Sequence, residues 1–108
     1  MKAKDLKNKG VPIKLGANTY ELKFNMNTFC ELEEVYDDIN QAFEDLQKMK
    51  IKAMRALIYS AVKTQNASIT LLEVGELLGI SELEDISKAL NEALADAMPE
   101  VGETAPGE

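Results

Sequence analysis

The residue types that most often carry enzyme chemistry are scarce in this chain. Its 108 residues include 19 acids and one cysteine, Cys30, but no histidine. Without histidine neither a Ser-His-Asp nor a Cys-His nucleophile can be assembled, and one of the commonest zinc ligands is missing. A single cysteine forms neither an internal disulfide nor a thiolate cluster. The carboxylates are therefore the main groups left for acid–base or metal chemistry.

These carboxylates recur at spacings typical of solvated helix faces. The sequence contains no GxxxxGK[ST] phosphate loop, no GxGxxG turn after a strand and no calcium-loop pattern. We therefore expect no catalytic, metal-binding or cofactor-binding residues and a protein that is not an enzyme. A small carboxylate enzyme is the least favoured alternative. Met26 and Cys30 fall on the apolar side of a helical pattern, which predicts a methionine in the core and a buried structural thiol.

A period-two pattern over residues 11–24 predicts a β-hairpin with one apolar face. Gly16-Ala17-Asn18 supplies residues suited to its turn. Because a lone hairpin is marginally stable in water, we expect its apolar face to pack on the helices that follow. The apolar positions are Val11, Ile13, Leu15, Tyr20, Leu22 and Phe24.

Helical spacing begins near Asn25 and predicts four or five helices. Asn27 is the expected N-cap of the first helix, which ends near Tyr36 with the tyrosine hydroxyl in solvent, and Asn40 is the expected N-cap of the second. The second helix runs to about residue 49. The third covers 50–63, with Ile51 in its apolar stripe, and the pattern leaves open whether these two helices are continuous. Capping boxes at 70–73 and 81–84 open the fourth and fifth helices, and Gly79 suits the left-handed position that ends the fourth.

These elements predict an α+β fold, with an N-terminal β-hairpin packed on a small bundle of four to five helices. Residues 11–98 form a single domain in this interpretation. The lysine-rich segment 1–10 is expected to be a flexible basic arm, and 99–108 a disordered C-terminal tail. No apolar run approaches the ~20 residues of a membrane-spanning helix, and no signal segment follows the N-terminus. The sequence therefore predicts a cytoplasmic protein without membrane contact.

The junction of the second strand and the first helix resembles the start of phage tail assembly chaperones, a group that includes proteins of gene transfer agents. Later segments of this sequence resemble the same group, so the similarity covers roughly residues 11–98. One departure is Asp37, which follows Tyr36 where a glycine is usual. The segments are IKLG (13–16), YELKF (20–24), NMNTFCELEE (25–34), MRALIYSA (54–61), LLEVGELLG (71–79) and ALNEAL (89–94).

This resemblance implies binding without catalysis. Such chaperones bind the long helical tape measure protein, shield its apolar surface and help to recruit tail tube protein. It also implies a site of action in the host cytoplasm and absence from the mature virion. The alternative, which needs no resemblance, is another small acidic bacterial or phage protein that acts as an adaptor or inhibitor.

Charge is sorted along the chain into blocks of alternating sign. Residues 28–47 hold seven acids and no base, whereas 48–63 hold five bases and no acid. The blocks could pair within one molecule or drive head-to-tail association of copies, and we favour the intramolecular interpretation. The net charge of −7 argues against nucleic-acid binding, which needs a positive face.

Two regions are candidates for binding a protein partner. The hairpin has strand edges that could accept an extended segment, and the third helix opens with basic residues. The candidate partner-binding residues are Ile13, Leu15, Tyr20, Leu22, Phe24, Lys50 and Arg55.

Overall fold

Two antiparallel strands and five α-helices make up the described part of the chain, residues 10–97 of a computed structural model. The predicted α+β fold, a hairpin on a helical bundle, is confirmed. The predicted basic arm, apart from Gly10, and the predicted tail lie outside the described residues. The elements are β1 (Val11–Leu15), β2 (Asn18–Leu22), α1 (Met26–Val35), α2 (Ile39–Gln47), α3 (Ile51–Lys63), α4 (Leu71–Leu77), a 3-10 turn (Ile80–Glu82) and α5 (Leu83–Ala97).

The hairpin pairs β1 with β2 in the register that places Leu15 opposite Asn18 and Val11 opposite Leu22. Only Gly16 and Ala17 connect the strands, and Gly16 has a φ of 62°. That left-handed conformation costs glycine little because it has no Cβ. The two-residue loop fixes the register, and the register turns alternate apolar side chains toward the helices.

Helix α3 is the centre of the fold and contacts α1, α2, α4, α5 and β2. Because it is surrounded, residues on several of its sides are buried. Its polar Ser60 is also fully buried, and its hydroxyl donates to the carbonyl oxygen of Ala56 at 2.8 Å. Burying each large apolar side chain contributes about 1.5–3 kcal/mol. The buried residues of α3 are Ala53, Met54, Ala56, Leu57, Ile58, Ser60, Ala61 and Val62.

Two predicted N-caps are each shifted by two residues. Asn25, and not Asn27, caps α1, since its Oδ1 accepts from the Thr28 amide at 3.1 Å. Asp38, and not Asn40, caps α2, and its Oδ1 accepts from the Asn40 amide at 2.9 Å. In both cases a capping residue stands two positions before the one expected, and the earlier residue has the extended backbone that a cap requires.

Helices α2 and α3 are separate, which settles the question that the sequence left open. The chain turns at Met49, whose φ of 61° is left-handed. The Met49 and Lys50 amides donate to the carbonyl oxygens of Leu46 and Asp45, both at 2.9 Å. This pair of bonds is the Schellman arrangement that ends helices, with methionine where glycine is usual.

The predicted capping box of α4 is confirmed, but the start of α5 differs from the prediction. Thr70 Oγ1 accepts from the Glu73 amide at 3.1 Å, while Glu73 Oε1 accepts from the Thr70 amide at 3.0 Å. Gly79 is not left-handed, since its φ is −92°. Its amide donates to Glu82 Oε1 at 3.3 Å, so Glu82 stabilises a 3-10 turn where Ser81 was expected to cap the helix.

Candidate functional site

The apolar face of the hairpin lies in the core. Ile13, Leu15, Leu22 and Phe24 are all buried, so these candidate partner-binding side chains are packed against the helices. Tyr20 is half-buried, and its hydroxyl accepts from Asn66 Nδ2 at 3.2 Å. A partner could therefore meet this part of the hairpin only at its strand edges.

The outer edge of β2 is closed by one side chain. The Glu21 amide donates to Gln65 Oε1 at 3.0 Å, and Gln65 Nε2 donates to the Glu21 carbonyl oxygen at 2.7 Å. The side-chain amide of Gln65 thus takes both outward-facing backbone groups of Glu21, which are two of the groups that an added strand would use. This closure argues against the prediction that an extended partner pairs with β2.

The outer edge of β1 is blunted by Pro12, which has no amide hydrogen to donate. Beside it lies a groove of about 250 Å³ between β1 and the start of α5. Its lining mixes charged and apolar side chains, among them Lys14, Asp85 and Ile86. The hairpin therefore presents neither an apolar face nor a fully open edge to a partner.

An exposed apolar groove lies on another part of the surface, between the start of α3 and the segment joining α4 to α5. Its volume is about 170 Å³, and apolar atoms form most of its lining. We call it the apolar groove. Its lining residues are Ile51, Met54, Arg55, Gly75, Leu78, Gly79, Ile80 and Leu83.

Two isoleucines stand out of this groove into solvent. Ile80 in the 3-10 turn is 75% exposed, and Ile51 at the start of α3 is 53% exposed. Ile51 was predicted to face the core as part of the apolar stripe of α3, and that prediction is wrong, since the turn at Met49 places this first residue of the helix at the surface. Apolar side chains that cluster at the surface mark interaction sites more often than scattered ones do.

The side chain of Arg55 crosses the groove against Gly75 of α4. A Cβ atom at Gly75 would lie only 3.2 Å from Arg55 Cδ, so the missing side chain makes room for the arginine. Arg55 is partly buried and lines the groove, whereas Lys50 is exposed and precedes Ile51. Of the seven residues predicted to bind a partner, Arg55 lines the apolar groove, whereas Lys50 lines a separate pocket with Tyr36 and Asp45.

The chain segments that form the groove differ in charge. Residues 48–63 include no acid, and residues 71–84 include no base. Among the described residues that line the groove, Arg55 is the charged one. A partner would therefore meet an apolar surface that carries one cationic side chain.

The turn that precedes Ile51 lies against a polar cluster centred on the buried Asp45. The Tyr36 hydroxyl donates to Asp45 Oδ2 at 2.7 Å, and Gln41 Nε2 donates to Asp45 Oδ1 at 2.9 Å. Tyr36 was expected to place its hydroxyl in solvent, and it is instead buried because Asp45 offers an acceptor between α1 and α2. The two hydrogen bonds, that from Tyr36 first, lower the pKa of Asp45.

The same cluster raises the pKa of Tyr36 to about 12, first through burial and then through its hydrogen bond to Asp45. Asp45 therefore stays ionised and Tyr36 stays neutral at ordinary pH. Both groups have structural partners that account for these shifts. Within residues 10–97 no cluster of three or more histidine, cysteine or acidic side chains is arranged to hold a metal ion.

The exposed positions include residues that sequence reasoning missed or assigned to the core. Met26 is 77% exposed, and Cys30 is exposed, although both were expected inside. Ile80 and Leu72 were not singled out at all. The available signal for Ile80 was its position between Gly79 and Ser81, where an apolar residue lies outside any helical stripe.

Comparison with known proteins identified no relative of this chain. No protein-family model, no curated protein and no solved structure matches this chain. Among the helices between residues 10 and 97, none has both the length and the apolar character that crossing a membrane requires.

Proposed function

We propose that the protein is a non-catalytic tail assembly chaperone that binds the tape measure protein and assists assembly of the phage tail tube, acting in the host cytoplasm. The observation that carries the proposal is the apolar groove with Ile51 and Ile80 exposed beside it. A chaperone for an unassembled helical protein needs exposed apolar surface of its own. The resemblance of residues 11–98 to tail assembly chaperones supplies the identity of the client.

The groove suits one face of an amphipathic helix. Helix-in-groove recognition places apolar residues at spacings of three and four in an apolar channel, and the cavity here is lined mainly by apolar side chains. Arg55, which lines the groove, would face an acidic residue on the polar flank of such a helix. Tail tube protein, the second partner that the resemblance implies, needs a surface of its own.

Co-expression with the tape measure protein of the same phage tests this proposal. The wild-type chain is expected to increase the soluble fraction of the tape measure protein and to co-purify with it. Ile80→Asp and Ile51→Asp should abolish both effects, because each places a charge in the apolar contact. Met26→Asp is the matched control, since Met26 is equally exposed but does not line the groove.

The possible outcomes separate the function from its site. If no complex forms with the wild-type chain, the chaperone proposal fails and an adaptor or inhibitor role becomes the better hypothesis. If the complex forms and resists both groove substitutions, the chaperone function stands and the binding surface lies elsewhere.

A further inference from the structure

The two outer edges of the hairpin differ in what they offer to an added strand. On β2 both outward-facing backbone groups of Glu21 are bonded to the side chain of Gln65. Glu21 pairs with Pro12, so the backbone groups of this pair point away from the facing strand. Such pairs alternate with hydrogen-bonded pairs in an antiparallel ladder, and Lys14 therefore also turns its N–H and C=O groups outward. Together with the Pro12 carbonyl oxygen, they give the edge of β1 a donor and a pair of acceptors.

The edge of β1 has no closure of the kind that Gln65 provides on β2. Within residues 10–97 no group forms a hydrogen bond with the backbone N–H or C=O of Lys14, and Lys14 is exposed. An edge strand with unpaired N–H and C=O groups is a template for pairing with another segment. Because Pro12 has no amide hydrogen, this pairing is restricted to a short segment centred on Lys14.

The groove beside this edge has room for the side chains of an added strand. Its volume is about 250 Å³, and a cavity of roughly 150 Å³ already accommodates a benzene molecule. Helix α5 packs mainly on β1 and less on β2, so its first turns lie on the side of the hairpin where a third strand would be added. The far wall of the groove is formed by Glu82, Asp85, Ile86 and Ala89.

The pairing determines which side chains of an added strand enter the groove. A residue opposite Lys14 would point to the solvent face, as Lys14 does, whereas its neighbour opposite the buried Ile13 would point toward the helices. On that side the groove is apolar at Ile86 and acidic at Asp85. A lysine or arginine side chain fits both, because its methylene stem packs on apolar surface while its charged end reaches a carboxylate.

We propose that the edge of β1 binds an extended segment of a protein partner, which adds antiparallel to β1 beside Lys14 and places a lysine or arginine side chain in the groove against Asp85. Antiparallel addition is favoured because it is the slightly more stable pairing. Main-chain hydrogen bonds hold the segment, and the groove selects its side chain. This surface is separate from the apolar groove, so the two can be occupied together and each proposal can fail without the other.

A synthetic peptide tests the backbone pairing on the full chain. The probe is an acetylated, fluorescent octapeptide of alternating threonine and arginine, and fluorescence anisotropy at about 0.15 M salt measures its binding. With arginine in the groove, the threonine amides donate to β1 and the arginine amides face away. N-methylation of the threonines should therefore weaken binding at least ~10-fold, while N-methylation of the arginines should change it little. If the threonine-methylated peptide binds as tightly as the arginine-methylated one, or if the unmodified peptide does not bind, the proposal is overturned.

Charge reversal in the groove tests the side-chain contact. Asp85→Lys should weaken binding of the unmodified peptide at least ~10-fold. Glu44→Lys is the matched control, since it makes the same charge change at an exposed position of α2 and should weaken binding less than ~2-fold. A peptide with glutamate in place of arginine should bind the Asp85→Lys variant more tightly than the wild type. Equal losses in the two variants would mean that the peptide responds to net charge alone, which would overturn the proposed contact.

Hydrogen exchange of single amides locates the peptide without any substitution. Binding should slow exchange of the Lys14 amide at least ~10-fold and leave that of the Glu21 amide unchanged, because the latter is already bonded to Gln65. A bound peptide that leaves the Lys14 amide unprotected would contradict strand addition at β1. The Ile80→Asp variant should bind the peptide as the wild type does, which separates this surface from the one proposed for the tape measure protein.

Discussion

The hairpin and the apolar groove contain similar apolar side chains, but those of the hairpin are buried and those beside the groove are exposed. On the hairpin Ile13 is 9% exposed and Leu22 is fully buried, whereas Ile80 beside the groove is 75% exposed. The hairpin packs on α3 and α5, and Gln65 closes the edge of β2. No comparable element covers Ile51 and Ile80 within the described residues. The difference lies in what packs on each surface, because the residue types are the same.

This comparison indicates that interaction surfaces are identified by what the core leaves uncovered. The strand edges looked open in the sequence, but a single glutamine closes the edge of β2 and a proline shortens the usable edge of β1. The start of α3 looked like core, and the turn at Met49 places Ile51 at the surface.

The largest effect is expected in the core beneath the hairpin. Leu22→Ala should lower the free energy of unfolding by about 2–5 kcal/mol, because it removes buried methyl groups and leaves a cavity. Leu72→Ala is the matched control, since Leu72 is 68% exposed and should change stability little. Urea denaturation of both variants measures the difference, and equal losses would contradict the closed packing of the hairpin.

Tyr36→Phe should give the next largest loss, together with a change in pH dependence. Asp45 has a lowered pKa, so its contribution is present above its ordinary value of 3.8 and is lost as the pH falls through the folded value. Tyr36 has a pKa raised to about 12, so its contribution is present below pH 10 and is lost between pH 10 and 12. The substitution should weaken the loss of stability at acid pH and remove the loss between pH 10 and 12.

Urea midpoints between pH 2 and pH 12 measure both ends of this profile, with pH 7 as the reference. Tyr59→Phe serves as the control at the acid end, because the Tyr59 hydroxyl contacts only Lys63 Nζ, at 3.2 Å, among the described side-chain bonds. A Tyr36→Phe variant that keeps the wild-type acid profile would show that the Tyr36 bond does not lower the pKa of Asp45.

Gln65→Ala should open the edge of β2 at a moderate cost. The substitution removes two hydrogen bonds to Glu21, each worth about 0.5–1.5 kcal/mol net. Water can bond to the exposed Glu21 backbone groups and so recovers part of the lost free energy. We expect a loss of about 1 kcal/mol and a greater tendency to aggregate. Gln47→Ala is the control, because Gln47 is an exposed glutamine that bonds Asn91 away from the strands. Equal aggregation of the two variants would argue against edge protection.

Met49→Gly should increase stability slightly. A left-handed conformation costs a residue with a Cβ atom about 1–2 kcal/mol, whereas glycine adopts it freely but loses more chain entropy on folding. The net gain should be about 0.5–1 kcal/mol, read from the urea midpoint. Met49→Ala is the control, since it removes the same side chain and keeps the strain. A glycine variant no more stable than the alanine variant would contradict strain at this turn.

The smallest effect on stability is expected at the groove itself. Ile80→Ser should change the free energy of unfolding by less than about 0.5 kcal/mol, because the side chain is largely in water. Thermal or urea unfolding at dilute concentration measures this value. A loss of several kcal/mol would mean that Ile80 belongs to the core, and would contradict the contrast between the buried hairpin face and the exposed groove.

Much of the local structure was predictable from neighbouring residues. The period-two pattern predicted the hairpin, and Thr70 with Glu73 predicted the start of α4, since strand alternation and capping depend on residues close in the chain. The shifted caps at Asn25 and Asp38 were missed because several nearby residues could cap and only backbone geometry chooses among them.

The candidate site was less predictable, because exposure depends on residues distant in sequence. Arg55 was selected for its charge, but its place in a groove depends on the missing side chain at Gly75, 20 positions away in the sequence. The hydroxyl of Tyr36 is buried because Asp45 of another helix accepts a hydrogen bond from it. No pattern within α1 indicates that bond.

The sequence by itself determined the fold class, the order of elements and which residues alternate between core and water. It did so because periodicity and capping are local properties of the chain. Only the tertiary structure decided that the hairpin is closed by Gln65 and that Ile51 and Ile80 border an apolar groove. Packing between distant segments determines which apolar residues find a neighbour, and those left without one form the surface available to a partner.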